Sequence, residues 1–495
     1  MPPDLTATMA HAGIKGSRAG SLGLLVWLAG CAGVGRPAPA LEADADRVME
    51  AQEAVETETD VEETAPAPNP TTGARLEDPD ATIEPADEGI PVHGSLRLRY
   101  RGRWTSGEDD QNLYTSLAMD IGDPERQKVT GHFMARLNMD TDGNDGRDIF
   151  FNLEDTLGGD VSAMLFYGYA DVHRVEPLDT LRIGRQQLWD TPAFLLFDGA
   201  LIETGTQDVV GVGVYGGLRA QYYDKPDENE VVAGVYGQAR PWQGGRVRVD
   251  YMYLEDEQRL GENQDDLVGV ELWQLVGEAL TLEGKYTRLE GDDRDLRLRA
   301  SYVDPDLDWS LQANYYHLLE TQKNLALEVN PYFSSLLEYF PFQQVGLLFS
   351  KGFGNVLDLN LGVDSRRLDD SSDVGEFNQE FDHYYVSTIF PDLFVDGLDL
   401  TLIGDVWDDD QQDIQTWGLD LTQRFDEKFL GSFGSYYSLY KYDLFLNEEK
   451  DDVRTYYARM RYDHSKSLSL DVEFVYEDNP FGDFQMLQVI ARWMF

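Results

Sequence analysis

Hydrophobic and polar residues alternate one by one along most of the chain from residue 92 to the C-terminus. At 95–101 the sequence reads Ser-Leu-Arg-Leu-Arg-Tyr-Arg, with the apolar and aromatic residues at even positions and the arginines at odd ones. Successive side chains of a β-strand point to opposite faces, so this period of two predicts strands with one apolar and one polar face. The alternation recurs at 246–251, 296–300, 357–361 and 398–402.

The connections between these segments fall into two groups. Short ones lie near 277–278, 352–355, 391–397, 426–429 and 464–466, and longer acidic ones lie at 258–266, 321–340, 369–381 and 447–452. Transmembrane β-barrels have short turns at one end and longer loops at the other. The pattern therefore predicts an all-β fold, a transmembrane antiparallel β-barrel with an even number of strands, about 22 within a range of 18 to 22. An even number places the N and C termini on the same side, the periplasmic side of an outer membrane.

The last segment ends with aromatic residues on one face of a strand. Trp493 and Phe495 share that face with Val489 and Ala491. The segment resembles the terminal strand that the barrel-assembly machinery recognises, so we expect Trp493 and Phe495 to be the assembly signal. The expected partners are that machinery and outer-membrane lipid. Further aromatic residues expected at the lipid interfaces are Tyr251, Tyr253, Tyr315, Tyr316, Trp407, Trp417, Tyr456 and Tyr457.

The first residues have the features of an export signal. Lys15 and Arg18 precede an apolar run that leads to Leu-Ala-Gly-Cys at 28–31, which resembles the lipobox of bacterial lipoproteins. We therefore expect residues 1–31 to be a signal peptide and Cys31 to be lipidated. Cleavage after Ala40 is the alternative. Because Cys31 is the only cysteine of the chain, no internal disulfide can form.

Residues 32–90 are rich in Glu, Asp, Ala, Pro and Thr, a composition that buries too little apolar surface to offset the entropy of ordering. We expect this segment to be a disordered acidic linker in the periplasm. The barrel is then expected to span 91–495.

The charge of the chain excludes one class of partner. With 91 acidic and 40 basic residues the formal net charge is −51, whereas nucleic-acid binding needs a surplus of Lys and Arg. None of the seven histidines lies in a recognisable catalytic or zinc-binding motif, and there is no Gly-x-Ser-x-Gly elbow or P-loop. The sequence thus predicts no enzyme, no metal site and no cofactor.

The polar face of the predicted strands indicates what the lumen contains. An arginine on the lipid face near the bilayer centre costs about 2–4 kcal/mol, so arginines that alternate with leucine are expected to point inward. The expected lumen and solute-contacting arginines are Arg97, Arg99, Arg101, Arg103, Arg136, Arg182, Arg246, Arg248, Arg297, Arg299, Arg459 and Arg461. The expected lumen acids are Asp358, Asp364, Asp399, Asp405, Asp420, Asp471 and Glu473.

Two interpretations of these charges stay open at this point. Opposed walls of arginine and aspartate would select solutes by charge. Alternatively, the lumen charges pair with each other across neighbouring strands. Two connections, 140–160 and 321–340, are long enough to fold inward, and the apolar residues of the second predict a constriction at the mouth. The alternative is that this loop caps the rim or contacts a partner. The sequence at 140–146 partly matches a calcium loop, but Asp145 replaces the required glycine, which favours an acidic surface loop.

The sequence Leu-Arg-Ile-Gly-Arg-Gln-Gln-Leu at 181–188, followed by Phe-Asp-Gly at 197–199, resembles alginate-export-type outer-membrane porins. The resemblance implies passage of a polyanionic polysaccharide through an arginine-lined, monomeric pore. The lipobox, the acidic linker and the higher expected strand number depart from that family. The leading prediction is an outer-membrane porin that passes small hydrophilic solutes, including anions or oligosaccharides. The alternative is a structural barrel sleeve that anchors a periplasmic or secreted partner.

Overall fold

The computed structural model describes residues 89–105, 109–142, 161–205, 209–220, 231–258, 261–320, 340–373, 380–409, 413–443, 448–478 and 483–495. Among these residues no helix has the length and apolar character needed to cross a bilayer. The expected signal peptide, Cys31, the cleavage site after Ala40 and nearly all of the 32–90 linker lie outside the described residues.

Twenty-two β-strands account for most of the described chain. The first eleven are β1 Val92–Trp104, β2 Asp109–Ile121, β3 Val129–Asp140, β4 Val161–Val175, β5 Leu178–Leu188, β6 Leu195–Thr204, β7 Val210–Arg219, β8 Val231–Ala239, β9 Gly245–Gln258, β10 Gly261–Val276 and β11 Leu280–Leu289. The others are β12 Asp292–Asp304, β13 Trp309–Leu318, β14 Phe342–Gly352, β15 Asp358–Leu368, β16 Phe381–Phe390, β17 Leu398–Asp409, β18 Asp413–Arg424, β19 Phe429–Asp443, β20 Glu448–Ser465, β21 Leu468–Asp478 and β22 Phe484–Met494.

The sheet is a closed barrel. Each strand pairs antiparallel with its neighbours in sequence, and β1 also pairs antiparallel with β22. Closure gives every strand two hydrogen-bonded neighbours, so no sheet edge is left. The predicted antiparallel barrel and its strand number of 22 are confirmed. Because the number is even, β1 begins and β22 ends at the same end of the barrel, called here the terminal end; the opposite end is called the far end.

Two of the connections expected to be long acidic loops are mainly strand. β10 already begins at Gly261, within the expected loop 258–266, and β20 begins at Glu448, within 447–452. Beyond the bilayer both faces of a sheet contact water, so strand pairing no longer requires apolar residues. The loss of alternation therefore marked the limit of the membrane contact and not the end of the strands.

The outer face of the barrel carries exposed apolar side chains such as Leu98, Val249 and Leu402. Aromatic residues border this apolar band at both ends. On β13, Trp309 and Tyr315 lie six positions apart, which is about 20 Å along a strand and close to the apolar height of outer-membrane barrels. Other outward aromatics toward the far end are Trp104, Tyr253, Tyr286, Tyr384, Trp417, Tyr437, Tyr456 and Tyr476, and those toward the terminal end are Tyr302, Phe349, Phe390, Phe429, Tyr462, Trp493 and Phe495.

Three aromatic residues expected at the lipid interfaces lie instead on the inner face. Tyr316 pairs with Gln344, Trp407 is stacked on His383, and Tyr457 donates a hydrogen bond to Asp420. Each of Tyr316 and Tyr457 follows an outward tyrosine directly in sequence. Adjacent residues of a strand point to opposite faces, so only one of each pair can face lipid.

The C-terminal residue completes the closure of the barrel. The backbone N–H of Gly94 donates to the carbonyl of Phe495 at 2.9 Å, and the N–H of Phe495 donates to the carbonyl of Gly94 at 3.0 Å. The Phe495 ring lies over Gly94, where a Cβ would come within 2.8 Å of the ring and 2.5 Å of the Ala118 carbonyl oxygen. Only glycine leaves room for the ring at this seam.

We expect Gly94→Ala to weaken the closed barrel by about 1–3 kcal/mol, because the added methyl group overlaps the Phe495 ring and a backbone oxygen. The measurement is the temperature at which the folded, fast-migrating band is lost on gel electrophoresis. Gly131→Ala on β3 is the matched control, since its Cβ would meet only the Ile121 side chain at 3.8 Å. Equal transition temperatures for the two variants would contradict this role of Gly94.

Candidate functional site

The loop between β5 and β6, residues 189–194, folds over the polar face of β9, β10 and β11 and is called here the inner loop. The Lys285 ammonium donates to the carbonyl of Thr191 at 2.6 Å, and Arg248 lies 3.6 Å from the carboxylate of Asp190. A Cβ on Gly269 would lie 3.0 Å from the Pro192 ring. The opposite face of the same strands carries the exposed apolar residues, so the face under the loop is the lumen.

The inner loop has an apolar core of its own. Phe197, Val232, Met252 and Leu267 belong to one cluster of buried side chains on the inner faces of β6 to β10. Leu188, which directly precedes the loop, and Ala193, near the end of the loop, pack against this cluster. Burial of these apolar side chains anchors the loop inside the barrel, with the contacts of Lys285 and Arg248 adding to it.

The sequence missed this loop. The loops expected to fold inward were 140–160 and 321–340. Residues 143–160 and 321–339 lie outside the described residues. Most of the calcium-like segment at 140–146 lies outside them as well. The prediction of inward loops rested on loop length, and the inner loop is short. A usable signal was present nonetheless: apolar residues occupy both faces of the flanking segment Leu195–Phe197, as expected where a strand is covered on both sides.

On β1 and β15, inward side chains are more buried toward the far end of the lumen. On β1, Arg103 near the far end is 1% exposed, whereas His93 near the terminal end is exposed. On β15, Asp364 is buried and Asp358, nearer the terminal end, is only half-buried. The deeply buried inward charges of these strands form the candidate site.

Four arginines on the inner face of β1 form what is called here the arginine column: Arg97, Arg99, Arg101 and Arg103. The guanidinium of Arg99 lies 4.1 Å from the centre of the Tyr114 ring, and that of Arg101 lies 5.4 Å from it. Arg103 donates through Nε to Asp110 at 2.8 Å. Residues i and i+2 of a strand are about 6.8 Å apart, so the column extends the charge along the pore.

The other expected arginines also lie on inner faces, and nearly all of them contact an acid. The closest contacts are Arg182 with Asp171 at 2.8 Å, Arg246 with Glu271 at 2.7 Å, Arg248 with Asp250 at 2.9 Å, Arg297 with Asp295 at 3.4 Å, Arg299 with Glu283 at 3.8 Å, Arg459 with Glu473 at 2.5 Å and Arg461 with Asp463 at 3.1 Å. Arg136 lies 5.1 Å from the Phe166 ring. For these seven paired arginines the structure favours the interpretation that lumen charges pair with each other.

The expected acids lie on the inner faces of β15, β17, β18 and β21 and hold a polar network. His383 binds Asp405 through Nε2 at 2.6 Å and faces Asp364 through Nδ1 at 3.5 Å, with its ring stacked on Trp407. Asp420 accepts hydrogen bonds from Tyr457 at 2.5 Å and from Thr422 at 2.7 Å. Asp358 and Asp399 lie nearer the terminal end, and Asp471 and Glu473 face the arginines of β20.

The two charged walls are not opposed across the pore. Counted from β1 through β22, β18 is the fifth strand and β15 the eighth, whereas the strand opposite β1 in a ring of 22 is the eleventh. The acidic wall thus lies to one side of the arginine column. The order of the strands along the chain did not show this sideways position, because barrel closure places the last strand, β22, beside the first, β1.

Acids at the rim of the far end add negative charge outside the membrane-spanning strands. Partial burial, together with the nearby Asp140 side chain, raises the pKa of Asp142 to about 7. Burial acts to raise the pKa of Asp369 as well, but hydrogen bonds from His317 and Gln343 outweigh it and hold that pKa below its usual value. Asp369 therefore stays ionised at neutral pH, and Asp142 gains or loses its proton near neutrality.

Within the part of the chain that the structure describes, no group of three or more His, Cys, Asp and Glu residues could hold a metal ion.

Comparisons with known proteins give similarity at the level of solved structures. No protein-family model and no curated protein matches the chain. The outer membrane protein OpdK of Pseudomonas aeruginosa is 11% identical with a TM-score of 0.39, covering 82% of this chain and 100% of that one. OccK8 (OprE) of the same organism is 11% identical with a TM-score of 0.38, covering 82% and 98%. The PapC translocation pore of the P pilus usher is 9% identical with a TM-score of 0.48, covering 81% and 99%.

The expected outer-membrane β-barrel is confirmed by the closed wall of 22 strands, its apolar outer face and its two rows of aromatic residues. Of these solved structures, OpdK is described as an outer membrane protein and PapC as a translocation pore, and none of the three as an alginate exporter. At TM-scores below 0.5 they leave the solute to be inferred from this barrel alone.

We expect a cysteine at Thr191 to be protected from a bulky maleimide, because the Thr191 side chain is buried between the inner loop and the wall. Adding Lys285→Met should expose it, since the hydrogen bond to the Thr191 carbonyl is lost. Labelling is followed by the mass increase of the protein. Asp190→Cys, exposed on the same loop, should react at once, and the unmodified chain gives the background from Cys31. Fast labelling of Thr191→Cys alone would show that the loop is not docked.

Proposed function

We propose that the chain is an outer-membrane channel for hydrophilic solutes with a preference for anions, set by the arginine column of β1. Both termini lie in the periplasm, and the far end faces the outside. The observation that carries the proposal is the position of four arginines along the inner face of a single strand in a closed barrel.

The surroundings of the column support a positive local potential. The residues directly opposite Arg97, Arg99 and Arg101 on β2 are Ser116, Tyr114 and Asn112, and on β22 they are Arg492, Ile490 and Gln488. None of these six is a carboxylate. Arg103, the fourth member, is paired with Asp110 on β2. The column thus places four guanidinium groups on β1 with one carboxylate directly opposite them on β2.

The chemistry of guanidinium groups defines the solute class. Their planar donors match the oxygens of carboxylates, sulfates and phosphates in pairs, and the tyrosine ring beneath Arg99 and Arg101 holds the groups in place. A column about 20 Å long gives a solute with several negative charges successive contacts of equal kind. Acidic oligosaccharides, the class implied by the resemblance at 181–199, are the solutes we propose first.

A leader and a tether complete the proposal. Residues 1–31 direct export, Cys31 carries the lipid, and 32–90 links it to the barrel from the periplasmic side. Cleavage after Ala40 would remove the lipid site and leave the channel unchanged.

The alternative, a sleeve that holds a periplasmic or secreted partner, is consistent with the large strand number, since barrels of 22 strands commonly contain a plug. The two functions differ in the isolated protein. A channel conducts selectively on its own, whereas an empty sleeve conducts without selectivity.

We expect the triple variant Arg97→Gln, Arg99→Gln, Arg101→Gln to shift the ion preference of single channels in planar bilayers toward cations. One charge at 4 Å contributes about 1 kcal/mol even in water, equivalent to about a fivefold change in ion ratio. The control is Arg367→Gln, which removes an arginine from the outer face of β15. If the triple variant kept the ion preference of the unmodified channel, the arginine column would not be the filter.

A further inference from the structure

The rows of outward aromatic residues are interrupted over one sector of the wall. Within the described residues, the outer faces of β4 to β8 carry no Phe, Tyr or Trp. Elsewhere such gaps are one strand wide, at β2, β10, β15 and β17. Aromatic rings anchor a barrel wall at the membrane interfaces. The strands of this sector therefore lack aromatic anchors of their own, although they expose aliphatic residues such as Ile183 and Val214.

The same sector contains a depression in the outer wall, called here the notch, with a volume of about 630 Å³. Small residues line it, among them Gly168, Ala200 and Gly216. A Cβ on Gly199 would overlap the carbonyl oxygen of Gly216, and one on Gly184, whose φ is 132°, would overlap that of Gly168. Glycine at these positions lets neighbouring backbones come closer together than side chains would allow, which produces the depression.

An ion pair lies in the notch, on the outer face. Arg185 donates to the two carboxylate oxygens of Asp198 at 2.8 and 2.7 Å and to the carbonyl of Leu165 at 3.1 Å. The side chains are 15% and 35% exposed. These are the Arg and Asp of the two short motifs at 181–188 and 197–199, and they point away from the lumen. Charges on the lipid face of a barrel are costly near the bilayer centre, and a second protein surface would shield this pair from lipid tails.

The occupant can be inferred from the charges. Arg185 donates to Asp198 and to the Leu165 carbonyl, and this ion pair has no net charge, so it offers little to the phosphate of a lipid headgroup. A neutral pair of opposite charges is instead complementary to a second copy of itself that is related to it by a two-fold axis, because each charge then faces the opposite charge of the other copy. Small residues around it allow two walls to approach closely.

We propose that the outer face of β4 to β8 is the contact surface between two copies of this chain in the membrane. Five strands about 4.8 Å apart and about ten residues long cover about 800 Å² per copy, which matches the area that stable interfaces bury on each partner. The monomeric pore implied by the resemblance does not apply under this proposal. The proposal is independent of the solute, since each copy keeps its own lumen.

The test is cross-linking of full-length protein in outer membranes with a short bis-maleimide. Ala200→Cys, at the centre of the sector, should give a covalent species of twice the monomer mass. The matched control is Leu402→Cys on β17, which is diametrically opposite β6 and also lacks outward aromatics. We expect no dimer from Leu402→Cys or from the chain with Cys31 alone.

A second variant distinguishes a specific contact between two copies from their random collision in the membrane. Ala200→Trp fills the notch from outside, so it should convert the dimer to monomer in mild detergent, as judged by light scattering, while the folded band on gels persists. A monomer for the unmodified chain, equal cross-linking at Ala200→Cys and Leu402→Cys, or a product with a different protein would each overturn the proposal. So would lipopolysaccharide that co-purifies with the unmodified chain as a monomer and is lost in Ala200→Trp.

Discussion

The hydrogen-bonding groups of the backbone impose the main constraint on this protein. In the apolar part of a membrane no water is available, so each N–H and C=O of a spanning strand must pair with another strand. The pairing of β1 with β22, completed by the reciprocal bonds between Gly94 and Phe495, meets this requirement at the only place where the sheet could remain open. The C-terminal aromatic residue and the glycine that accommodates its ring are parts of the same seam.

Closure also divides the side chains between two solvents. Outward positions contact lipid and are apolar over a height of about six residues, with aromatic rings at the limits, whereas inward positions carry nearly all of the charge in this part of the wall. Most of the inward charges neutralise each other between adjacent strands, as for Arg459 with Glu473 and Arg182 with Asp171. In the arginine column of β1, Arg103 is paired with Asp110, whereas the residues directly opposite Arg97, Arg99 and Arg101 are polar, aromatic or apolar residues and another arginine. The selectivity that we propose for the channel depends on this group of arginines.

Two regions depart from the simple division into an apolar outside and a polar inside. Under the inner loop, apolar side chains such as Val232 and Met252 face inward because a loop and not water covers them. In the notch, Arg185 and Asp198 face outward beside glycines and small residues. Both departures lie within β4 to β10. This side of the barrel is therefore specialised for contacts with protein, on its inner face with the chain's own loop and on its outer face, as we propose, with a second copy.

The sequence by itself determined the strand architecture, the approximate strand number and the face of residues in the clearly alternating segments, because these follow from a period of two that is set within a single strand. It placed Arg97, Arg99 and Arg101, as well as Asp405 and Asp420, on the inner face for this reason. It could not decide which charges pair, because the partners Arg248 and Asp190, or His383 and Asp405, meet only through the register and folding of separate segments. The docking of the inner loop, the sideways position of the acidic wall and the grouping of Gly184, Arg185 and Asp198 into one notch likewise depend on closure of the ring. That closure brings together residues distant in sequence, and a local pattern carries no information about such contacts.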